Sequence, residues 1–258
     1  MNKKKIYTML IAFSVLFTFV SIVKSDDNLE LSRAAYNGEI EKVKALIESG
    51  ADVNAWSNLG LGNHTPLMFA VYKGHFEVAK ILIEAGADVN AVHSPDHTVL
   101  YHALESYQLS AEVIQLLVDS GVNMNPNPLF WAVQSLNTAG ERSEIPKVMY
   151  ILIDAGADVN ERDKTGLTVL MVAALTGSTE VVDFLLRSGA EINATVESGR
   201  TALTWAVMMG HTETVSLLIE AGADLETADE SGNTPLMIAK SKGSEEIVEL
   251  LKEAGAVK

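Results

Sequence analysis

The apolar residues of this chain fall into two short sequence patterns that alternate along it. The first begins with Thr or Asn and continues with mainly apolar residues, and it occurs at residues 65–70, 98–103, 127–132, 168–173, 201–206 and 234–239. The second is Gly-Ala-Asp-Val-Asn or a close variant, beginning at Gly50, Gly86, Gly121, Gly156, Gly189 and Gly222, with a last Gly255. Successive glycines are 36, 35, 35, 33, 33 and 33 residues apart. This recurrence predicts a chain of repeated structural units.

Each unit is predicted to contain a pair of helices. The Thr65 hydroxyl can cap a helix, and Pro66 then occupies the first helical position, where its missing N–H is not needed. A turn at Gly74, or at the equivalent Gly177, leads into a second helix with regularly spaced apolar residues. The closing glycine supplies the left-handed conformation that ends a helix. One such pair cannot bury both of its apolar sides, so the units must stack.

A period of 33 residues with these two patterns resembles the ankyrin repeat. The resemblance covers residues 26–258 and implies an all-α fold, an ankyrin-repeat solenoid of about seven helix-turn-helix units with short β-hairpin fingers between neighbours. The expected units are approximately 27–54, 55–90, 91–125, 126–160, 161–193, 194–226 and 227–258. The first and last units carry charged residues among their apolar ones, and this is the outer face that a capping unit needs.

Two units depart from the regular pattern. The second has an insertion in its finger, residues 55–63, which places Trp56 in a Gly-rich loop. The fourth has lost its finger at residues 125–128, and residues 134–146 are predicted to form a polar loop or an extended first helix. Inserted loops of this kind are often functional, and they are also tolerated at solvent edges. Both interpretations stay open from the sequence.

The first 25 residues have the layout of a secretory signal peptide. Lysines at 3–5 precede an apolar run from 6 to 23, and Val23-Lys24-Ser25 gives a cleavage site before Asp26. We therefore expect a periplasmic or secreted protein. The alternative is an uncleaved signal anchor that holds the protein in the inner membrane, because about 18 apolar residues are just enough to cross a bilayer.

Composition narrows the function. Apolar residues make up 48 % and aromatic residues 6 % of the chain, as expected for helices packed through aliphatic side chains. The absence of cysteine excludes disulfides and thiol chemistry. The formal net charge of −15 would become −19 on removal of residues 1–25, which hold four lysines and no acidic residue. Such a charge repels a phosphate backbone, so we expect no nucleic-acid partner.

The histidines and carboxylates are the candidate residues for metal binding and for acid–base catalysis. His93, His97 and His102 are conceivable as a zinc set, but His102 occupies a register position that is predicted to face the core. Asp224 and Asp229 fall at repeat-related positions, where a hydrogen-bonding role in the finger explains them better than acid–base catalysis. We therefore expect no catalytic, cofactor-binding or metal-binding residue, and no enzyme activity.

The remaining histidines follow the repeat register. His75 and His211 lie in the Gly-His turn before a second helix, a position at which the resemblance implies hydrogen bonds within the turn and between repeats. His64 and His97 each stand just before the capping Thr. Neither pair requires a catalytic explanation.

What the resemblance implies about function is binding of a partner protein through a concave groove. A monomer is expected, without nucleic acid and with membrane contact only if the N-terminal segment is uncleaved. Two alternatives are a neutralising or regulatory partner of a secreted enzyme or toxin, and a scaffold tethered to the membrane. A small enzyme is the remaining class, and no motif supports it.

The resemblance also indicates which residues line the groove, namely the finger tips and the last two residues of each first helix. The candidate protein-binding residues are Trp56, Tyr72, Lys73, Glu105, Leu175, Thr176, Met208 and Met209. The same rule adds Ser106, Gln134, Ser135, Ser241 and Lys242. Trp131 and Trp205 occupy the register position predicted to be buried in the core.

Overall fold

The fold is described from a computed structural model of the chain, which describes residues 26–60, 62–94, 97–124, 127–135 and 144–257. The predicted signal peptide, residues 1–25, lies outside them. The chain divides into two compact halves, one ending at Asn123 and one beginning at Met124. Across the described ranges, no helix is both long enough and apolar enough to span a membrane.

The N-terminal half consists of helix pairs joined through two small hairpins. Its elements in chain order are α1 (26–37), α2 (Ile40–Glu48), β1 (Ser57–Asn58), β2 (Asn63–His64), α3 (Pro66–Tyr72), α4 (Phe76–Glu84), β3 (Val92–Ser94), β4 (His97–Thr98), α5 (Val99–Leu104) and α6 (Ala111–Asp119). The first helices α3 and α5 pack side by side, and the second helices α2, α4 and α6 form a neighbouring row. Leu67, Leu82 and Ile114 are fully buried in the core.

The hairpins of this half are short and antiparallel. Ser57 pairs with His64 across β1 and β2, and Val92 pairs with Thr98 across β3 and β4, with an irregular register in the second pair. Each hairpin ends at or next to the residue that caps the following first helix. The side chains of β2 and β4 are therefore held beside the start of α3 and α5.

The C-terminal half repeats the same helix pairs. Its elements are α7 (Pro128–Gln134), α8 (Ile145–Asp154), α9 (Val169–Thr176), α10 (Thr179–Arg187), α11 (Ala202–Met209), α12 (Thr212–Glu220), α13 (Pro235–Lys242) and α14 (Glu245–Glu253). First helices α7, α9, α11 and α13 pack in one row, and α8, α10, α12 and α14 pack in the other. The all-α repeat class predicted from the sequence is confirmed.

The first helices begin as the sequence predicts. The Thr65 hydroxyl accepts a hydrogen bond from the Met68 amide at 3.3 Å, and Thr168 does the same for the Met171 amide at 3.3 Å. Helix α7 is different. Its N-cap residue, Asn127, has a left-handed φ of 40° and no side-chain capping bond. The repeat that has lost its finger thus also lacks the capping bond.

The second helices end on the closing glycines. After α12, the Gly222 amide donates to Ile219 at 3.0 Å and the Ala223 amide donates to Leu218 at 3.0 Å. This pair of bonds, with Gly222 at a φ of 88°, satisfies carbonyl groups that the end of the helix would leave free. The predicted left-handed role of this glycine is confirmed.

Asparagines at the end of the second pattern connect consecutive repeats within each half. The Asn90 side chain accepts from the Asn123 amide at 2.7 Å and donates to the Gly121 carbonyl at 3.2 Å. Asn160 makes the equivalent bonds to Glu191 and Gly189, at 2.8 and 3.2 Å. Each such residue therefore completes the hydrogen bonding of the repeat that follows it.

The fingers of the C-terminal half are closed by turns around an aspartate. Asp229 accepts from the amides of Ser231 and Asn233 at 3.0 and 2.9 Å. The Asn233 amide is the main reason that the pKa of Asp229 lies below its usual value. Asp224 similarly accepts from the Glu226 amide at 2.9 Å. The predicted hydrogen-bonding role of these carboxylates is confirmed, although the described fingers of this half contain no strand, their ladder being reduced to the single bridge between Arg162 and Thr168.

Three burial predictions are wrong. Trp131 and Trp205 are half-buried and not in the core, and the Arg200 guanidinium lies 5.3 Å from the centre of the Trp205 ring. Ile238 holds the same register position and is also half-buried, so this position is not enclosed in every repeat. Ser106 is 5 % exposed, not a groove residue, and its hydroxyl accepts from the Gln108 amide at 3.1 Å.

Candidate functional site

Four predicted binding residues lie in the N-terminal half, and two of them share one cavity. Tyr72, at the end of α3, and Glu105, which caps the end of α5, both line it. Trp56 lies on the finger before β1, is 45 % exposed and has its ring 6.1 Å from that of His93. Lys73 does not line this cavity, and its amine lies 4.9 Å from the centre of the Tyr36 ring.

The cavity has a volume of about 340 Å³. Its walls come from the two hairpins and from the exposed ends and inner sides of α3 and α5, and they are almost entirely rings. The lining residues are His64, Met68, Phe69, Tyr72, His93, His97, Tyr101, His102 and Glu105. A concave site of this size with aromatic walls and a few polar groups is typical of ligand pockets in proteins.

Four histidine rings surround this cavity. The ring centre of His64 lies 4.5 Å from that of His102 and 5.7 Å from that of His93. The ring of His97 lies 6.1 Å from His102 and 6.4 Å from His93. The Nδ1 atom of His97 also hydrogen-bonds to the Ser94 hydroxyl, which fixes the ring against β3.

His102 is the most enclosed of the four. It is 5 % exposed, and its Nε2 atom is buried without a hydrogen-bond partner. Burial, together with the nearby rings of His64, His97 and His93, lowers the pKa of His102 to about 3. The pKa of His64 is also lowered, mainly by burial, and its Nδ1 atom is likewise unpartnered. Both rings are therefore neutral at pH 7, and a neutral imidazole has one acceptor and one donor nitrogen.

Burial and the nearby Glu105 carboxylate both raise the pKa values of the tyrosines that line the cavity. Burial raises the pKa of Tyr101 to about 12, with a further contribution from the hydroxyl's bond to the Glu105 carboxylate. Burial also raises the pKa of Tyr72, and the charge of Glu105 adds to the effect. Glu105 is thus an anionic group in the lining of the cavity, close to both tyrosines.

The four histidine rings are arranged differently from the ligands of a zinc site. Zinc is held by imidazole nitrogens that converge on one point at about 2.0–2.1 Å. In this cluster the rings of His64 and His93 are stacked at an interplanar angle of 23°, and those of His97 and His102 at 28°. Within the part of the chain that the structure describes, no three His, Asp or Glu side chains are arranged to hold a metal ion.

The other four predicted binding residues lie in the C-terminal half, at the ends of α9 and α11. Met209 is 50 % exposed and Met208 is half-buried. Leu175 and Thr176 are half-buried as well, and the Thr176 hydroxyl donates to the Ala173 carbonyl at 3.0 Å. The Leu175 carbonyl oxygen lies 3.0 Å from Nε2 of His211. Met209 is the member of this set that offers most of its side chain to a partner.

The sequence analysis grouped His93, His97 and His102 as a conceivable zinc set, but it did not include His64 in this cluster. A signal was present, because His64 and His97 are 33 residues apart and hold the same register position in adjacent repeats. Stacked repeats bring equal register positions together. His102 was predicted to face the core, which its 5 % exposure bears out, but the residue also lines the same cavity as the finger histidines.

Comparison with known proteins agrees with this architecture. A family model described as ankyrin repeats (3 copies) matches residues 23–93, 100–196, 129–229 and 193–258. A search of curated protein sequences found no match. Among solved structures, the human ASB11 ankyrin repeat domain is 26 % identical with a TM-score of 0.74, and the match covers 88 % of this chain and 98 % of that one. The ankyrin repeat domain of Bcl-3, a member of the IkappaB protein family, is 27 % identical with a TM-score of 0.70, covering 86 % and 97 %. The repeats, their caps and these matches together show that the chain belongs to the ankyrin-repeat family.

Proposed function

We propose that this protein is a non-catalytic module that binds a partner protein through its fingers and the ends of its first helices. Ankyrin-repeat domains generally serve protein–protein interaction. The observation that carries the proposal is the exposure of large apolar side chains at the predicted binding positions. Trp56 is 45 % exposed on a finger, and Met209 is 50 % exposed at the end of a first helix. Tryptophan is among the residues most enriched at the energetic centres of protein interfaces, and methionine is enriched in interfaces generally.

We further propose that the protein acts after export, in the periplasm or outside the cell. The support is the order of basic residues, apolar run and cleavage site within residues 1–25. The absence of cysteine is compatible with an oxidising compartment. The net charge of −15 favours a partner that presents basic residues.

The test begins with capture of the tagged chain and its bound proteins from its own cells, followed by mass spectrometry. The partner is then titrated against Trp56→Ala, Met209→Ala and Tyr150→Ala by calorimetry. Tyr150 is the matched control, because it is 63 % exposed but lies on the second helix α8. We expect the first two variants each to lose about 1–3 kcal/mol of binding free energy and the control to lose almost none.

Two results would contradict the proposal. One is an equal loss of affinity for Tyr150→Ala, which would place recognition on the second helices. The other is retention of full affinity by both Trp56→Ala and Met209→Ala. Unfolding midpoints of all three variants must match that of the wild-type chain, since each residue is largely exposed.

A further inference from the structure

The cavity of the N-terminal half is lined in part by the rings of His64 and His102, each of which has one buried nitrogen without a partner. Nε2 of His102 and Nδ1 of His64 are both buried, and neither has a partner. An unsatisfied buried polar atom is unfavourable by about 1–3 kcal/mol, so most such atoms in native proteins are paired. Both residues line the cavity while these two nitrogens are enclosed by the protein, so what they offer to a ligand is the remaining surface of each ring.

The aromatic walls of the cavity favour a planar ligand. Phe69, Tyr72 and Tyr101 line the cavity together with the four histidine rings. Aromatic rings attract cations to their faces, and a planar cation also stacks on them. The rings of Tyr72 and His102 are nearly perpendicular, at 89° with centres 6.4 Å apart, so a ligand between the hairpins and the helices meets rings in more than one orientation.

The charge of the cavity favours a cation. Glu105 is exposed at its edge, and its carboxylate accepts one bond from Tyr101, which leaves further lone pairs. Glu105 lines the same cavity as Tyr101 and Tyr72, so a cation held against these rings lies near its carboxylate. An anionic ligand would be repelled by it, and the −15 net charge of the chain acts in the same direction.

Two contacts between a cationic side chain and an aromatic ring occur among the residues that the structure describes. Lys73 places its amine 4.9 Å from the centre of the Tyr36 ring. Arg200 places its guanidinium 5.3 Å from the centre of the Trp205 ring. In both cases a cationic side chain of the protein lies close to the ring of a residue on a first helix.

From this arrangement we propose that the cavity accepts the arginine side chain of a basic partner protein, with the guanidinium stacked among the rings and paired with the Glu105 carboxylate. The proposal rests on the proposed function, since it names the chemistry of the partner at the same surface. Arginine fits better than lysine because its flat group has five donors, which can satisfy acceptors in several directions at once.

The test uses the full chain and the probe N-acetyl-arginine methylamide, observed by calorimetry and by the histidine-ring signals in NMR spectra. The citrulline analogue has the same shape without the charge, and the lysine analogue has the charge without the plane. We expect saturable binding of the arginine probe, about tenfold weaker binding of the citrulline analogue, and shifts of the His102 ring signals.

Variants separate the cavity from general electrostatics. Glu105→Gln should weaken the arginine probe about fivefold, as expected for loss of a partly exposed ion pair. Glu112→Gln is the matched control, because Glu112 is an exposed glutamate of the same half, at the start of α6, that does not line the cavity. It should change the probe's affinity less than twofold. Both positions are exposed, so both variants should retain the wild-type unfolding midpoint.

The outcomes distinguish this inference from the proposed function. Equal affinity for the arginine and citrulline probes, or no effect of Glu105→Gln, would overturn the arginine site even if the partner is still captured. Saturable Zn²⁺ binding that is lost in His102→Phe, in a chain that ignores the arginine probe, would replace it with a metal site. Conversely, a functioning arginine site in a chain whose partner tolerates both Trp56→Ala and Met209→Ala would refute the proposed function alone.

Discussion

The imidazole of His211 packs against the α-carbon of Gly177, the residue that ends α9 in the preceding repeat. A Cβ atom added at Gly177 would lie 2.5 Å from Nδ1 of His211. The ring is held there because its Nε2 atom lies 3.0 Å from the carbonyl oxygen of Leu175. His75 is in the same relationship with Gly38 and with the Tyr36 carbonyl in the N-terminal half. The predicted role of these two histidines between repeats is confirmed.

A glycine can be required at the end of a first helix for two reasons: a left-handed backbone, or a side chain that packs against its α-carbon. Gly177 and Gly210 have similar left-handed φ values, 70° and 77°, but a Cβ at Gly210 would meet no atom within 4 Å. We expect Gly210→Ala to cost about 1–2 kcal/mol through backbone strain alone. Gly177→Ala should cost about 1–3 kcal/mol more, because the methyl group displaces the His211 ring. Urea unfolding of both variants measures the difference.

A double variant supplies the control for that prediction. When His211→Ala is combined with Gly177→Ala, the ring that clashes is absent, so the two losses should not add. Equal losses for Gly177→Ala and Gly210→Ala would show that the ring moves aside without cost.

The buried His102 should make stability depend on pH. Its folded-state pKa of about 3 is below the ordinary histidine value, so the unfolded chain takes up the proton first as the pH falls. Stability from this residue is complete above about pH 6.5 and is lost progressively toward pH 3. The slope from one such group reaches about 1.4 kcal/mol per pH unit.

His102→Phe isolates this effect, and Phe69 holds the same register position one repeat earlier. The carboxylates of the chain also titrate in acid, so the quantity to compare is the difference in unfolding free energy between variant and wild type from about pH 6 to pH 4. We expect His102→Phe to lose stability less steeply over this range. Parallel curves would mean that His102 is protonated in the folded chain.

The aspartate turns should contribute to stability through their acceptor atoms. Oδ1 of Asp163 accepts from the amides of Thr165 and Leu167 at 2.8 and 2.9 Å, and from the Thr165 hydroxyl at 2.7 Å. We expect Asp163→Ala to cost about 1–2 kcal/mol, because two amides lose their partner. Asp163→Asn keeps an acceptor oxygen and should lose clearly less. Thermal unfolding of the two variants decides whether the bonds or the charge matter, and an equal loss would point to the charge.

Export makes a direct prediction about the native N-terminus. Signal-peptide cleavage after Ser25 should give a protein whose first residue is Asp26. N-terminal sequencing and the intact mass of protein from its own cells measure this. A chain that begins at Met1 and is released from membranes only by detergent would instead support the uncleaved anchor.

The sequence predicted those parts of the fold that depend on local chemistry. The Thr65 cap, the Gly222 helix end and the His211 turn each follow from residue type and register, because the interactions lie within one repeat or between neighbours. Register alone did not predict how deeply every side chain is buried. Trp205 holds a position that is filled by buried Phe69 in another repeat, yet its larger ring remains half-buried beneath Arg200.

The candidate site was predicted less completely. Tyr72 and Glu105 were identified from their places at the ends of first helices, and both line the cavity. His93, His97 and His102 were considered together as a zinc set, against which the predicted core position of His102 counted, and His64 was explained by its register alone. Their approach depends on the inserted finger that carries β1 and β2, whose path a periodic pattern does not specify.

The asparagine links between repeats bear on how such a chain can change in length. Asn54, Asn90, Asn160 and Asn193 each accept a hydrogen bond from an amide of the next repeat, 31 to 34 residues later. Duplicating or deleting one whole repeat should therefore restore a joint of the same kind, and an insertion in a finger also leaves the joint intact, because Asn54 bonds the Asp88 amide across the inserted finger at 2.7 Å. The chain can consequently change in length by whole repeats or within its fingers and keep the hydrogen bonds that connect its repeats.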